Sequence, residues 1–268
     1  MRKINKSQAP NELTIYAICN PDDTWDNFRS NNGRDAKKIK KKIFEEQHYI
    51  CAYCEIDLSE NNTHEHHRRV EHFNSKSGWV VGETQPNWHL DWNNVIGVCI
   101  GGTDRNNIEQ FVMPDNKSCD SYKEHLETNH SESKKWLGKI VSPLEDNLSS
   151  DMFNYSLATG KLEVNVDAAN LEAFEHNNFE TSSELLESTL EKLNLNCDRL
   201  NLVRREVHIS FEKLIASFRK SKDMKKFKFM LRKWAGEDAP LYFQTTRDIL
   251  VRENRIAQKA LEEELPPH

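Results

Sequence analysis

Apolar positions along this chain change their rhythm several times. Residues 1–33 show no clear period, and Pro10, Pro21 and the Asn31-Asn32-Gly33 run mark turns. From 35 to 48 the spacing is helical: Ile39, Ile43 and Phe44 form one stripe and lysines cover the other faces. Residues 49–125 lose that period and are rich in Cys, His, Asn and Trp, which suits a compact, metal-supported module. Residues 136–150 read as a connector, broken at Ser142-Pro143 and between Asn147 and Asp151. Phe153–Leu157 and Leu162–Val166 alternate around Ala158-Thr159-Gly160, a hairpin signal. The remainder is helical. Thr181 and Glu184 have capping-box spacing ahead of Leu185, Leu186, Leu190 and Leu193. A long second helix runs through Leu200, Val203, Val207, Phe211, Leu214, Ile215 and Phe218. A third carries Met224, Phe227, Met230, Leu231 and Trp234 and stops at Gly236. Pro240 suits the first turn of a last helix through Ile249, Leu250, Ile256 and Leu261. These patterns divide the chain into an arm with a basic helix (1–48), a metal-supported module (49–130), a connector with a hairpin (131–170) and a helical region (171–268). No repeat or low-complexity tract interrupts them.

Charge changes this picture. The 268 residues sum to −6, which argues against a polyanion partner until the charge is placed. Residues 34–42 carry a net +5 and residues 199–233 a net +9, leaving −20 on the rest. Phosphate binding depends on local clustering, so the mean does not exclude nucleic acid. Both runs also fit plain solvated helix faces. The acidic remainder predicts weak intrinsic affinity, with the substrate held or delivered by a more basic partner. No apolar stretch is long enough to span a membrane, and the first residues have no signal-peptide core. The expectation is a cytoplasmic protein with reduced cysteines, where metal binding is favoured over disulfides.

Of six cysteines, Cys51-Ala52-Tyr53-Cys54 can grip one metal ion from a tight turn. Cys99 and Cys119 are the candidates to complete a tetrahedral zinc site, while Cys19 and Cys197 stand apart. The alternatives are a redox dithiol and four buried, unliganded thiols. A redox pair would want a preceding strand and an electropositive helix start, whereas a lysine-rich helix precedes Cys51.

Four histidines lie at 64, 66, 67 and 72, and Leu90-Asp91-Trp92-Asn93-Asn94 precedes the apolar run to Cys99. Phosphodiester hydrolysis needs a base that is neutral near pH 7, which imidazole provides. It also needs a hard divalent cation held by oxygen ligands. Glu71, beside His72, and Asp120, beside Cys119, supply carboxylates. Neighbours on a strand point to opposite faces, so a strand should end or bulge at 71–72 if both serve one site.

Cys51-x-x-Cys54, Glu71-His72, Asn94 five residues before Cys99, and Cys119-Asp120-x-x-Lys123 together resemble the HNH, or ββα-metal, endonuclease superfamily. Cys-Ala-Tyr-Cys at 51–54, Glu71-His72-Phe73 with Lys76-Ser77, and Asp91-Trp92-Asn93-Asn94 are most similar to the HNH subunit of Septu-type and retron-associated anti-phage systems. Leu193-Asn194-Leu195-Asn196 and the helical second half extend the likeness over most of the chain.

The resemblance implies an α+β fold: a ββα-metal core with a four-cysteine zinc site, flanked by an N-terminal helix and a mainly helical C-terminal half. It makes 49–130 the nuclease module. It implies His72 as general base, Asn94 orienting that base and its loop, and Glu71 and Asp120 binding catalytic Mg²⁺ or Mn²⁺. Cys51, Cys54, Cys99 and Cys119 would hold structural Zn²⁺. Asp120 stands where many relatives have His or Asn and is still an oxygen ligand. Asn93 adjoins Asn94, and the spacing to Cys99 selects Asn94. Lys76, Lys123 and Arg68 are the candidate phosphate contacts. His64, His66 and His67 have no assigned role, and His89 is read as structural. Trp79, Trp88 and Trp92 either stack on bases or pack the insertion between the two strands.

The implied activity is metal-dependent cleavage of nucleic acid, with DNA favoured, as effector of an anti-phage complex. RNA cleavage by the same chemistry and a non-catalytic zinc adaptor are the alternatives. The resemblance also implies an ABC or SMC-like ATPase as partner; the chain has no Gly-x-x-x-x-Gly-Lys-Ser/Thr loop, so any ATP use would lie in that partner.

Overall fold

The computed structural model describes residues 1–80, 87–236 and 239–262. It mixes helices with two small antiparallel sheets. The N-terminal third holds α1 (Asn11–Cys19), α2 (Trp25–Asn31) and α3 (Gly33–Glu46). In α3, Ala36, Ile39, Ile43 and Phe44 face inward and the lysines outward, as the stripe predicts. Helices α1 and α2 correct the reading of 1–33 as aperiodic. α2 has seven residues, too few to show a period, yet it buries Trp25 and Phe28 and is capped by Thr24, which accepts from the Asn27 N–H at 3.1 Å.

The first sheet pairs β1 (Arg68–His72) with β2 (Val95–Cys99), His72 opposite Val95 and Arg68 opposite Cys99. All five residues of β2 are buried. On one side α3 packs so closely that a Cβ on Gly97 would lie 2.8 Å from the Phe44 ring. Buried Gln47 ties the strand to the helix end, its amide oxygen accepting from Gly97 N and its nitrogen donating to Gly97 O, at 2.6 and 2.7 Å. On the other side lies α5 (Cys119–Asn129), reached through α4 (Arg105–Gln110).

The hairpin of β3 (Phe153–Tyr155) and β4 (Leu162–Val164) forms around Gly160 as expected. After α6 (Val166–Ala169), α7 (Ser182–Lys192) opens with the full Thr181–Glu184 capping box. α8 (Asp198–Ser221) ends at Lys222 in the left-handed region, and α9 (Met224–Trp234) gives way to Gly236 at φ +67°. The expected single last helix is two, α10 (Gln244–Glu253) and α11 (Arg255–Glu262), broken at Asn254, whose ψ of 107° is extended. Pro240 precedes α10 and is not in its first turn.

Residues 136–150 do more than connect. Trp136, Ile140, Val141 and Leu148 are buried in one core with the cysteines, the hairpin and α7–α11. A second, smaller core unites α1–α3 with Leu90, Trp92 and Val95. It lies under the end of the first sheet and fixes the N-terminal helices there. No helix among the described residues is long and apolar enough to cross a membrane.

Candidate functional site

The four predicted cysteines converge. Their sulfurs are buried and lie within 4.8 Å of one another, with Cys51–Cys119, Cys54–Cys99 and Cys99–Cys119 at 3.9, 3.7 and 3.8 Å. Zn–S bonds of about 2.3 Å at tetrahedral angles place sulfurs about 3.8 Å apart, so the donor set fits Zn²⁺. Disulfide sulfurs would sit about 2 Å apart. Backbone N–H groups of Cys99 and Gly101 point at the sulfurs of Cys51 and Cys99, at 3.4 and 3.3 Å, as thiolates require. Burial pushes the Cys54 and Cys119 thiols well above their ordinary range, so ionising them needs a cation. Gly101, at φ +63°, admits this turn because a Cβ would lie 2.2 Å from Ser118 O.

Two arginines of α8 reach this cluster from the C-terminal half. Buried Arg199 donates to Ser118 Oγ at 2.7 Å, and Ser118 Oγ lies 3.6 Å from Cys119 Sγ. Its Nε would be 2.5 Å from a Cβ on Gly102, so only glycine leaves room for it. Fully buried Arg204 donates to Asn201 Oδ1 and Leu195 O. With buried Lys228 of α9, three of the twelve cations in the 199–233 run are therefore internal.

The strand carrying Glu71 and His72 ends at His72, with both residues still in regular pairing, Glu71 with Ile96 and His72 with Val95, so their side chains leave opposite faces. His72 is buried, and its Nε2 lies 3.1 Å from His89 O. A carbonyl can only accept, so Nε2 carries the proton and Nδ1 keeps the basic lone pair. Burial pushes the His72 pKa down to about 3, and the Lys76 charge adds to this against the His89 carbonyl. The ring is neutral at physiological pH and can accept a proton.

Asn94 is buried and Asn93 exposed. The Asn94 amide accepts from Asn74 N at 2.8 Å and donates to Asn74 O and Trp88 O at 3.0 and 2.9 Å. It thereby clamps the turn after His72 to the loop that presents the His89 carbonyl.

Glu71 points to the opposite face, toward α5. Burial raises its carboxyl well above the ordinary range. Lys123 opposes this, while Asp120, within hydrogen-bonding reach, pushes the same way as burial. The Lys123 ammonium is buried, ion-paired to Glu71, and donates to Phe73 O at 2.8 Å. Two close carboxylates with one ammonium form a site that a hard divalent cation would relieve. Lys123 corrects an expectation: it is the internal counter-charge of Glu71, not a surface phosphate contact.

Lys76 pairs with Asp26 at 3.3 Å, and Arg68 pairs with Glu65 and, at 3.7 Å, Glu60. His64, His66 and His67 cluster at the other end of β1, with the rings of the last two 4.2 Å apart. Trp88 and Trp92 are buried as packing, and Trp92 Nε1 donates to Ser7 O at 2.9 Å.

Sequence reasoning missed α2. Trp25 packs edge-on against the His72 ring, centroids 5.4 Å apart, and its backbone N–H donates to His89 Nδ1 at 3.3 Å. Asn87 holds the same loop, donating to Pro21 O and Asp23 O and accepting from His89 N. The N-terminal arm thus sets the group that sets the base. The only advance signal was the Thr24 cap followed by Trp25 and Phe28.

No protein-family model matches the chain. It is 40 % identical, over 263 residues, to an Escherichia coli protein that carries the name of an HNH endonuclease of retron Ec83; the match covers 97 % of this chain and 98 % of that one.

Proposed function

The chain belongs to the retron-associated HNH endonuclease family, and from that premise we propose that it hydrolyses phosphodiester bonds in nucleic acid with β1, β2 and α5 as its ββα-metal core. The observation that carries this reading is the neutral His72, its Nε2–H on the His89 carbonyl and its Nδ1 left free to accept a proton, at the end of the strand whose opposite face carries the paired carboxylates of Glu71 and Asp120. Nδ1 of His72 takes a proton from the attacking water. Asn94 holds the turn that keeps the imidazole in place. Glu71 and Asp120 are the ligands of a catalytic Mg²⁺ or Mn²⁺, which when bound neutralises charge on the phosphate and the leaving 3′ oxygen. Cys51, Cys54, Cys99 and Cys119 hold structural Zn²⁺.

The test is cleavage of DNA and RNA by the zinc-loaded protein with Mg²⁺ or Mn²⁺, DNA being tested first. Replacing His72 by alanine should lower the rate by about 10²–10⁴. A folded His72→Ala protein with full activity would overturn the assignment.

The wider role is effector of an anti-phage complex with an ABC or SMC-like ATPase. Helices α8 and α9 support a docking role, since they expose Leu202, Ile209 and Phe229 among basic residues. Co-purification with an ATPase encoded beside this chain checks it. A monomer with full, regulated activity counts against it.

A further inference from the structure

A cleft of about 710 Å³ lies between α2, α3 and the outer face of β1. Six cations line it, Arg29, Lys37, Lys40, Arg68, Arg69 and Lys76, against the carboxylates of Asp26 and Glu65. Those carboxylates already engage four of the six. Lys37 and Arg69 are exposed and, among the described residues, have no carboxylate partner. The cleft adjoins the base through Trp25. Arg68, Arg69 and Val70 of β1 are part of its lining. Trp25 also lines it and touches the His72 ring.

We propose that this cleft seats the sugar–phosphate backbone of the nucleic acid strand that enters the His72 site, with Lys37 and Arg69 on phosphates. The proposal rests on the nuclease reading above for what lies beside the cleft. An acidic protein segment would satisfy the same charges. Nucleic acid is favoured because the cleft is walled by Trp25, which packs on the base that would activate the water attacking a phosphodiester. The carboxylates of Asp26 and Glu65 set a modest net charge, so binding is salt-sensitive and not tight.

The experiment uses the full, zinc-loaded chain with His72→Ala, so that the probe survives. Fluorescence anisotropy follows short labelled single-stranded DNA, duplex DNA and RNA across a salt series. Adding Lys37→Ala and Arg69→Ala should flatten log K against log salt by about 1.4–1.8 for two lost phosphate contacts. Lys225→Ala with Lys226→Ala, in the other basic run, should keep the parental slope. Zinc content and melting temperature confirm that each variant folds. The cleft is overturned if the first pair keeps the parental slope, or if the control pair loses as much. It is also overturned if the parent ignores all three probes and binds polyglutamate through Lys37 and Arg69. Cleavage is scored separately in the His72 background. Full cleavage with Lys37→Ala and Arg69→Ala overturns the cleft and leaves the nuclease reading standing. Normal binding slopes with no cleavage on any substrate remove the nuclease reading and leave the cleft.

Discussion

Replacing Lys123 by methionine keeps the length of the side chain and removes its charge, leaving Glu71 buried beside Asp120. Both partners are nearly inaccessible, with side-chain exposures of 1 % for Lys123 and 9 % for Glu71. Breaking a buried ion pair from one side costs about 3–5 kcal/mol, because the remaining charge keeps its desolvation penalty. The Phe73 carbonyl also loses its donor. Glu71 escapes part of the cost by taking up a proton, since burial already raises its pKa above the ordinary 4.5. A carboxyl raised in the folded state contributes stability that is complete below the unfolded value and is lost as pH climbs through the folded one. The deficit of Lys123→Met should therefore be smallest below the ordinary value of 4.5 and grow as pH climbs through the raised folded value, reaching about 4 kcal/mol.

Urea denaturation of the zinc-loaded protein is the assay. With a slope on the order of 3 kcal/mol per molar, that deficit moves the midpoint down by about 1.3 M. Lys76→Met, which removes a half-exposed pair, should move it by less than about 0.3 M. Mg²⁺ at about a hundred times its Kd would return roughly 2.7 kcal/mol, and should help the variant more than the parent, where the ammonium competes for Glu71. An unchanged midpoint together with weaker nucleic-acid binding would refute the reasoning and return Lys123 to the surface role of a phosphate contact.

The remaining expectations concern the metal, the base and the clamp. Cys54→Ser, or stripping with a strong chelator, should remove the single zinc ion per chain and unfold the module, because structural zinc contributes on the order of 10 kcal/mol; metal analysis with circular dichroism reads this. His72, neutral down to about 3, should give cleavage without an inflection near pH 6.5. Because its folded pKa is depressed, its contribution to stability is complete above about 6.5 and lost as pH falls toward 3, on the order of 4 kcal/mol in all; His72→Gln should accordingly resist acid unfolding better than the parent. Asn94→Ala should destabilise by roughly 2–3 kcal/mol by orphaning groups of Asn74 and Trp88, whereas Asn93→Ala should stay within about 0.5 kcal/mol, both read by thermal melts.

What was legible in the sequence was whatever local physics decides. The stripe of α3, the Thr181–Glu184 box and the hairpin at Gly160 need only near neighbours, and each stands where its pattern put it. The cysteines were legible because a Cys-x-x-Cys turn needs two further ligands, and within the module only Cys99 and Cys119 could supply them. Long-range relations were not. Lys123 looked like any solvated lysine, and its burial depends on Glu71, 52 residues earlier. Trp25 sits on an element too short to show a period, and its contact with His72 closes a loop that no spacing rule reaches. Residues 136–150 read as a connector because breakers are local, while the burial of Trp136 is a property of the whole core.

The basic run of 199–233 shows how misleading a local sum becomes when some of its charges turn inward. A divalent cation held by four thiolates carries a net charge of −2, which is costly to bury without compensation. Burial works against the Arg199 charge, yet the neighbouring thiols, Cys99 foremost, outweigh it and raise the pKa further. Arg204 feels the same pull from Cys54 and Glu55 but is buried enough that its pKa falls. Both stand near the start of α8, so the C-terminal helices meet the cysteine cluster through charge as well as through the shared core. A chain without its metal keeps the two buried guanidinium groups and loses the anionic cluster that offsets them. Docking of α8 and metal loading at the four thiols should therefore be coupled, so that a defect in either surfaces in the other. The same two arginines are unavailable to phosphate, which leaves the exposed cations of the cleft beside His72 as the better-placed contacts for nucleic acid.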